Sequence, residues 1–471
     1  MSGEHPMDRE PGDERTFGGR KLHFGLTFVL PLALGSTLNP INSTMMSTAL
    51  APIAVDFRAT VAETGWLIAG LYMTSAIAQP TMGRLADLFG PRRIFLLSLL
   101  LVGAAGLAGL FAPSLGLLVA VRVVLGIGTS GAYPSAMRIF RSRADKLGVA
   151  PPRMAMAFLS LAAISTQAFG PALGGFLTGL YGWHSIFSVN LPLALITAAL
   201  VLLWVPKDSP RTASFAELVR EIDLLGVALF AGALLSLMLF LMNLNRPIWP
   251  ALAVSGVLWV VFWIQSSRRS QPFIDVRMLA ANKPLLITLL RVTLTVLIPY
   301  SVMYGFAQWL ESSAHYSPIS AGLMTLPMSI VAAAGSLLGA RSRGIRLPFI
   351  LGAIGGLVGC ISLMFLHSNT PAWLIATAVA FIGIPLGLTS SPTQTAIYLQ
   401  APASEMGVAA GLQRTFTYFG AIGAASLLGV MFGSKATDLG FHNLALVLTA
   451  ASAFVLVFIL FDRTLPRGPI D

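Results

Sequence analysis

The sequence predicts an all-α membrane protein with fourteen transmembrane helices, arranged as six, two and six. Of its 471 residues, 55% are hydrophobic and only 10% are charged, whereas a soluble domain usually carries about 25% charged residues. Apolar runs of about 20 residues, enough to cross a bilayer, recur along the whole chain. All but six of the 30 Lys and Arg residues fall on one side of these runs, which is the positive-inside pattern of membrane proteins.

Each run is predicted to form one helix, and the runs form two series of six. The first series lies near 24–53, 63–83, 93–112, 115–138, 154–181 and 184–205. The second series lies near 284–310, 317–340, 347–367, 372–394, 409–432 and 441–461. A further pair, 223–243 and 250–265, lies between them and is joined by the turn NLNRPIWP. The equal series indicate an internal duplication, and therefore two pseudo-symmetric six-helix halves.

These runs set the predicted domain boundaries. The segments are a tail at 1–22, a first bundle at 23–206, a connection at 207–222, a two-helix hairpin at 223–265, a connection at 266–283, a second bundle at 284–462 and a tail at 463–471. An even number of spans returns the chain to its starting side, so both termini are expected in the cytoplasm. No cleavable signal peptide is expected, because the first 22 residues are polar and the next apolar run is too long.

Several function classes lack the residues that they need. The net charge of +11 arises from Lys and Arg on one side of the membrane, so nucleic acid is not an expected partner. The single cysteine, Cys360, excludes an internal disulfide and a Cys-based metal cluster. The runs GIGTSGAY and GAIGGLVG lack the Gly-Lys-Ser/Thr ending of a phosphate-binding loop. We therefore expect no cofactor, no metal site and no enzyme.

One glycine-rich motif follows the second run, and another lies within the fifth. The connection GRLADLFGPRR, from Gly83 to Arg93, has small residues that allow a tight turn. Its Asp87 can cap the next helix or pair with Arg92 or Arg93, and this cluster could form and break between conformations. The fifth run contains GPALGG, whose proline breaks the helical ladder and whose glycines let a neighbouring backbone approach. The residues assigned a conformational role in these motifs are Gly83, Asp87, Gly90, Arg92, Arg93, Gly170, Pro171, Gly174 and Gly175.

Both motifs resemble those of the major facilitator superfamily. The continuation GPALGGFLTGLYGWHSIFSVNLP is similar to the antiporter motif of its fourteen-span drug:proton antiporter branch. Stretches at 271–284, 306–327 and 407–423 agree with that branch as well, and the last one holds Arg414, to which we also assign a conformational role. The resemblance covers nearly the whole chain beyond residue 24.

The resemblance implies a major facilitator fold whose two halves work by alternating access. It also implies export of small, largely apolar or amphipathic organic compounds across a bacterial-type inner membrane, in exchange for protons. The expected partners are therefore an organic substrate, protons and the lipid bilayer, and we expect a monomer. Two alternatives remain: an exporter of anionic or lipid-like compounds that uses buried arginines, and a non-transporting sensor or assembly factor.

The stretch LNPINSTMMSTALAPI, Leu38 to Ile53, is unusually polar for a membrane helix. At helical spacing its residues Asn39, Asn42, Ser43 and Met46 share one face, which suits the wall of a water-filled cavity. The alternative is that the hydroxyls bond back to their own helix or to a neighbour. By the resemblance, Asn42 stands where the branch usually carries its proton-binding aspartate. Asparagine cannot bind a proton, and Glu311 and Asp223 are the acidic residues closest to a substitute.

Other polar residues inside the runs extend this predicted cavity. Arg122 and Arg291 are assigned to it, and with Arg414 they form three intramembrane cations without an evident buried anion. An unpaired charge at such depth costs about 2.5–3.5 kcal/mol or more. The remaining cavity candidates are Tyr300, Tyr304, Gln308, Gln413, Thr417 and Tyr418. Ordinary packing between helices is the alternative for each of them singly.

Overall fold

The computed structural model describes the chain apart from residues 1–15, 18–19, 22–23, 148–152, 209–222, 245, 271, 343, 402–405 and 466–471. The predicted terminal tails and the connection at 207–222 lie largely outside the described residues. Before the first helix, strands β1 (Thr16–Phe17) and β2 (Arg20–Lys21) pair in an antiparallel manner. The rest of the described chain is helical, as the hydropathy pattern predicts.

The first half consists of long helices whose ends are set by local sequence. In order they are α1 (Leu26–Thr44), α2 (Leu50–Asp56), α3 (Val61–Phe89), α4 (Pro91–Leu110), α5 (Leu115–Leu147), α6 (Arg153–Tyr181), α7 (Ser185–Ser188) and α8 (Asn190–Trp204). Thr60 and Glu63 form a capping box that begins α3. Gly90 ends α3 with a φ of 103°, and Pro91 begins α4.

The hairpin and the second half follow the same rules. Their helices are α9 (Leu224–Leu241), α10 (Trp249–Arg268), α11 (Val276–Ala281), α12 (Lys283–Ser312), α13 (Pro318–Met324), α14 (Leu326–Arg341), α15 (Arg346–Leu363), α16 (Ala372–Leu388), α17 (Ser390–Gln400), α18 (Met406–Phe432) and α19 (Asp438–Phe461). Side chains of Asp223, Asn282, Ser317 and Thr437 accept hydrogen bonds from backbone N–H groups at the starts of α9, α12, α13 and α19.

Within the described residues, eleven helical segments are long and apolar enough to cross a membrane. They coincide with all the predicted runs except the first, second and fifth. The first run is interrupted, because a four-residue 3-10 turn, Met45–Thr48, separates α1 from α2. Helices α3 and α6 occupy the second and fifth runs. The all-α membrane architecture is confirmed, whereas the count of fourteen spans stays a prediction.

The two halves meet along two seams. Helix α3 packs against α18 in one seam, and α6 packs against α13 and α14 in the other. The hairpin helix α9 lies beside α3 and α18 at the first seam. We call the end of the bundle that carries the α3–α4 connection the basic face, and the end that carries the α2–α3 and α6–α7 connections the opposite face. The long helices run between these two faces.

Candidate substrate site between the two halves

The break after α1 places backbone carbonyls at the centre of the protein. The last four carbonyls of a helix have no partner within that helix. Near the end of α1, the carbonyl of Asn42 accepts a hydrogen bond from Nη1 of Arg122 at 2.8 Å. The next carbonyl, that of Ser43, accepts one from the Tyr304 hydroxyl at 2.9 Å. Since Tyr304 belongs to the second half, the broken helix of the first half is bonded across the interface.

Four tyrosines gather around this contact, and we call Tyr72, Tyr300, Tyr304 and Tyr418 the tyrosine cluster. The hydroxyls of Tyr72 and Tyr304 are 2.9 Å apart. Tyr304 donates its only hydroxyl proton to Ser43, so Tyr72 must be the donor to Tyr304. The ring of Tyr72 lies 5.7 Å from that of Tyr300 and 5.5 Å from that of Tyr418. The cluster thus joins one tyrosine of the first half to three of the second.

Two glutamines extend the cluster, and each of them also bridges the halves. Gln167 of α6 donates through Nε2 to the Tyr300 hydroxyl at 3.1 Å. The Tyr418 hydroxyl donates to Oε1 of Gln79 on α3 at 2.8 Å. Neither glutamine nor Tyr72 was among the residues predicted from sequence. Each is a polar side chain inside an apolar run, the same signal that selected Tyr300 and Tyr304.

Asn42 faces a partner within its own half. Its amide donates to Oδ1 of Asn190 at 2.6 Å, and the amide of Asn190 donates back to Oδ1 of Asn42 at 2.8 Å. Asn42 also donates to the carbonyl of Leu38, and both asparagines are almost completely buried. The amide pair satisfies the polar groups of Asn42 without a ligand. Asn190 lies in a motif that the sequence analysis quoted, but its pairing with Asn42 appears only in the folded protein.

The two fully buried arginines have different surroundings. Arg122 donates to the carbonyls of Leu67 and Asn42, while its Nη2 has no partner among the described residues. Arg291 lies 2.8 Å from the carboxylate of Asp462, with both side chains only 1% exposed. The expectation that Arg291 has no buried anion is therefore wrong. The pair lies towards the basic face of the second half, where Asp462 ends α19, so it is not part of the tyrosine cluster.

Most of the remaining residues predicted to line the cavity form hydrogen bonds within their own half or their own helix. Asn39 donates to the hydroxyls of Ser75 and Thr129 at 3.2 and 3.0 Å, within the first half. Several others bond to carbonyls of their own helix: Ser43 to Pro40, Gln308 to Tyr304, and Thr417 to Gln413. Met46 is completely buried in the 3-10 turn. The fold thus brings Ser43 and the three predicted tyrosines together, and keeps Arg291 apart.

The loop motif after α3 is held by charged residues from helix α5 and from the connection that follows α8. Asp87 pairs with Nε of Arg138 on α5 at 2.7 Å. The cap of α4, expected from Asp87, comes from Asp208, whose carboxylate accepts from the N–H groups of Arg92 and Arg93 at 3.1 and 3.0 Å. Gly83 lies against Pro134, also on α5. The motif therefore ties α3 and α4 to α5 and to the end of the first bundle.

The glycines of α6 allow two different backbone contacts. A side chain at Gly170 or Gly174 would collide with Thr44 or with the backbone of Met45, both in the first half. A side chain at Gly175 would instead collide with the carbonyl of Pro318 in α13, in the second half. Across this crossing, a Cβ added to Gly322 would lie 2.6 Å from the carbonyl oxygen of Pro171. Helices α6 and α13 therefore touch through their backbones towards the opposite face.

The other seam is also tight at the opposite face and looser at the basic face. A Cβ added to Gly429 of α18 would lie 3.2 Å from Ala62 of α3. Nearer the basic face, a Cβ added to Gly411 of α18 would meet nothing within 4 Å, and Arg414 is exposed. Among the described residues of this seam, the halves therefore separate towards the basic face.

A bundle of membrane-spanning helices in two halves, with a polar and aromatic cleft between them, is the architecture of a membrane transporter. The sequence profile of the Major Facilitator Superfamily matches residues 32–425. An uncharacterised MFS-type transporter of Bacillus subtilis (strain 168), YwoD, is 31% identical over 428 residues, which span 90% of this chain and 94% of that protein. The chain belongs to the Major Facilitator Superfamily, so the membership predicted from its motifs is confirmed.

Two further similarities support this assignment. The multidrug efflux pump LfrA of Mycolicibacterium smegmatis is 27% identical over 416 residues, covering 85% of this chain and 79% of that protein. The partially occluded, inward-open structure of the xylose transporter XylE from E. coli superposes with a TM-score of 0.62 at 14% identity, over 95% of this chain and 99% of that one. The second comparison shows the fold. Since the family consists of transporters, the prediction that the protein is not an enzyme is confirmed.

The bond from Tyr304 to Ser43 allows a direct test of the interface. We expect Tyr304→Phe to lower the free energy of unfolding by about 1–3 kcal/mol, because the buried hydroxyl both donates to Ser43 and accepts from Tyr72, and both bonds are lost. Tyr398→Phe, at a side chain that is 70% exposed, should change it little. Thermal unfolding in detergent measures both variants. Equal transition temperatures for the two variants would show that the hydroxyl at Tyr304 contributes nothing to the stability of the fold.

Proposed function

We propose that the protein exports small amphipathic organic compounds by alternating access, with the tyrosine cluster as the substrate site. The observation that carries this proposal is that the polar contacts of the cluster join the two halves. Tyr72, Tyr300 and Tyr418 also lie well inside the long helices α3, α12 and α18. A flat organic ligand can lie against their rings and replace the ring–ring contacts, since aromatic surfaces accept many shapes. The similarity to the efflux pump LfrA supports the direction of transport.

The contacts between the halves are weak enough to break in a transport cycle. Each hydrogen bond or ring pair across the seam contributes about 1 kcal/mol. Opening the opposite face would require loss of the bonds from Tyr304 to Ser43 and from Gln167 to Tyr300. The backbone contact between Gly175 and Pro318 involves no long side chain that would have to repack. We infer that the halves rock about the cluster, with α6 and α13 closing one end.

Asn42 does not carry the proton in any exchange of substrate for protons. Its amide cannot titrate and is fully bonded to Asn190 and Leu38. The carboxylate of Asp223 accepts from Gln265 and two backbone N–H groups and lies 3.4 Å from Arg269, so both of its oxygens already have partners. Glu311 has a buried carboxylate oxygen without a partner among the described residues. We therefore propose Glu311 as the one of these three positions able to take up a proton.

The alternative in which Arg122 and Arg291 bind the substrate loses its basis. The guanidinium of Arg122 bonds to two helix carbonyls, and that of Arg291 pairs with Asp462. The charge of Arg291 is available only if its buried pair with Asp462 breaks, which is costly because an uncompensated buried charge remains. Arg122 is completely buried and held by two backbone carbonyls, with only its Nη2 free among the described residues. No observation favours the non-transporting sensor.

We further propose that the chain has fourteen spans, is a monomer of a bacterial inner membrane and has both termini in the cytoplasm. The positive-inside rule predicts that reporter fusions after Arg211 and Arg269 report a cytoplasmic position. A fusion at residue 245, in the turn between α9 and α10, should report an external one. A cytoplasmic signal at 245 would remove the hairpin from the membrane and contradict the fourteen-span topology.

The substrate site can be tested with Nile red, a neutral aromatic dye, in everted membrane vesicles. We expect energised vesicles with the wild-type protein to accumulate the dye. Tyr72→Ala and Tyr418→Ala should reduce uptake about tenfold, because two ring contacts of about 0.5–1.5 kcal/mol are lost. Tyr398→Ala is the matched control on the protein surface. Uptake by the two cluster variants at the control rate would contradict the proposed site.

A further inference from the structure

Arg414 differs from the other intramembrane arginines in being exposed. It lies on α18, eight residues after the helix start at Met406, which corresponds to a depth of about 12 Å at 1.5 Å per residue. Its guanidinium lies over the ring of Tyr133, 5.7 Å from the ring centroid. Tyr133 belongs to α5 of the first half. The charge therefore lies in the gap between the halves, where the α3–α18 seam is loose.

In the described part of the chain, this charge has no acidic partner. Among the described residues, no carboxylate lies within the 4.0 Å ion-pair distance of Arg414. Its five N–H donors form a planar fork that suits a carboxylate or sulfonate. A cation inside the membrane needs water or an opposite charge. The gap provides access for both, because Gly411, one turn away on α18, has open space next to it.

The surroundings of Arg414 are aromatic and offer donors instead of negative charge. Tyr418, a member of the tyrosine cluster, lies four residues further along α18, one helical turn from Arg414. The Tyr300 hydroxyl accepts from Gln167, so its own proton remains available to a ligand. A ligand that spans from Arg414 to the cluster would therefore meet a cation, a hydroxyl donor and ring faces.

We infer that Arg414 binds the anionic group of the substrate, and that the preferred substrates are aromatic compounds carrying one carboxylate or sulfonate. The inference rests on the proposed function and specifies the substrate class of the same site. The anionic group would pair with the guanidinium while the aromatic body lies against the tyrosine cluster.

The effect of ligand charge can be measured with three probes that share a naphthalene ring and differ in the charge of the attached group: 1-naphthoate, 1-naphthamide and 1-naphthylmethylammonium. Their binding to the purified full-length protein can be measured by calorimetry in detergent at neutral pH. We expect naphthoate to bind about tenfold more tightly than naphthamide, and the ammonium compound to bind more weakly than both. Arg414→Gln should remove the difference between naphthoate and naphthamide, whereas Arg414→Lys should keep only part of it, because an ammonium group supplies the charge without the planar fork. Arg246→Gln is the control, because it removes the same charge from an exposed residue in the α9–α10 turn.

The outcomes separate this inference from the proposed function. Equal binding of the three probes by the wild-type protein, or a preference for the ammonium compound, would overturn the anion inference while Nile red uptake could still support export. Loss of naphthoate binding in nanodiscs that contain phosphatidylglycerol, but not in those of phosphatidylcholine, would assign Arg414 to a lipid headgroup and overturn it too. Failure of Nile red uptake with intact naphthoate preference would instead contradict the export proposal alone.

Discussion

Replacement of Gly175 by valine is expected to reduce transport strongly while both halves stay folded. The added side chain would collide with the carbonyl of Pro318, a backbone group that cannot rotate away. Overpacking at such a contact costs about 1–3 kcal/mol, and the contact exists only while α6 and α13 are closed. The substitution therefore raises the free energy of the closed state selectively, and at about 1.4 kcal/mol per factor of ten we expect a loss of transport of roughly 5- to 140-fold.

The neighbouring glycine provides a matched contrast. Gly174 contacts the backbone of Met45 within the first half, so Gly174→Val should lower the thermal stability of the protein as well as its transport. Gly116→Ala, where an added Cβ meets nothing within 4 Å, should be neutral. If Gly175→Val and Gly174→Val lose the same thermal stability, the distinction between a contact within one half and a contact between halves is wrong.

Spin labels can show that the closed state is the one affected. Tyr181 and Leu439 are exposed residues at the opposite face, one in each half. With Cys360→Ser and cysteines at these two positions, the distance between labels should shift to longer values in Gly175→Val. An unchanged distance distribution together with lost transport would place the effect of the valine elsewhere.

Conversion of Asn42 to aspartate is expected to make transport strongly dependent on pH. A protonated carboxylic acid at this position can donate to Asn190 as the amide does now. The ionised carboxylate has no proton to donate, so one of its oxygens would then face the acceptor Oδ1 of Asn190 without a hydrogen bond. The adjacent cation is Arg122, whose Nη1 bonds to the carbonyl of Asn42 and whose Nη2 has no partner among the described residues. The two protonation states therefore favour different partners, which is the requirement for coupling.

Uptake into everted vesicles over a pH series tests this change. We expect Asn42→Asp to vary about tenfold across the series and wild type to vary much less. Asn42→Ala is the control, because it removes the amide pair, at a cost of about 1–3 kcal/mol, without adding a titratable group. Glu311→Gln should abolish whatever gradient dependence the wild type has. Strong gradient-driven transport that survives Glu311→Gln would contradict both the assignment of Glu311 and the role of the missing carboxylate.

The sequence by itself determined the class of the protein. Hydropathy located the helices from the third run onward closely, since crossing a bilayer imposes a minimum apolar length on each segment separately. The glycine motifs indicated the family, because close helix contacts and tight turns require small residues at particular positions. The polar face of residues 38–53 also pointed to the centre of the protein, although not to the break at Met45–Thr48.

The partners of the polar groups were decided only by the tertiary structure. Asn42 looked like a cavity residue and is instead paired with Asn190, while Arg291 looked unpaired and has Asp462. Tyr72 and Gln79 were overlooked although they complete the site. Polarity and hydropathy are properties of single residues and short runs, whereas a hydrogen bond or an ion pair needs two groups within about 3 Å of each other. That proximity depends on how distant helices cross, which no local pattern specifies.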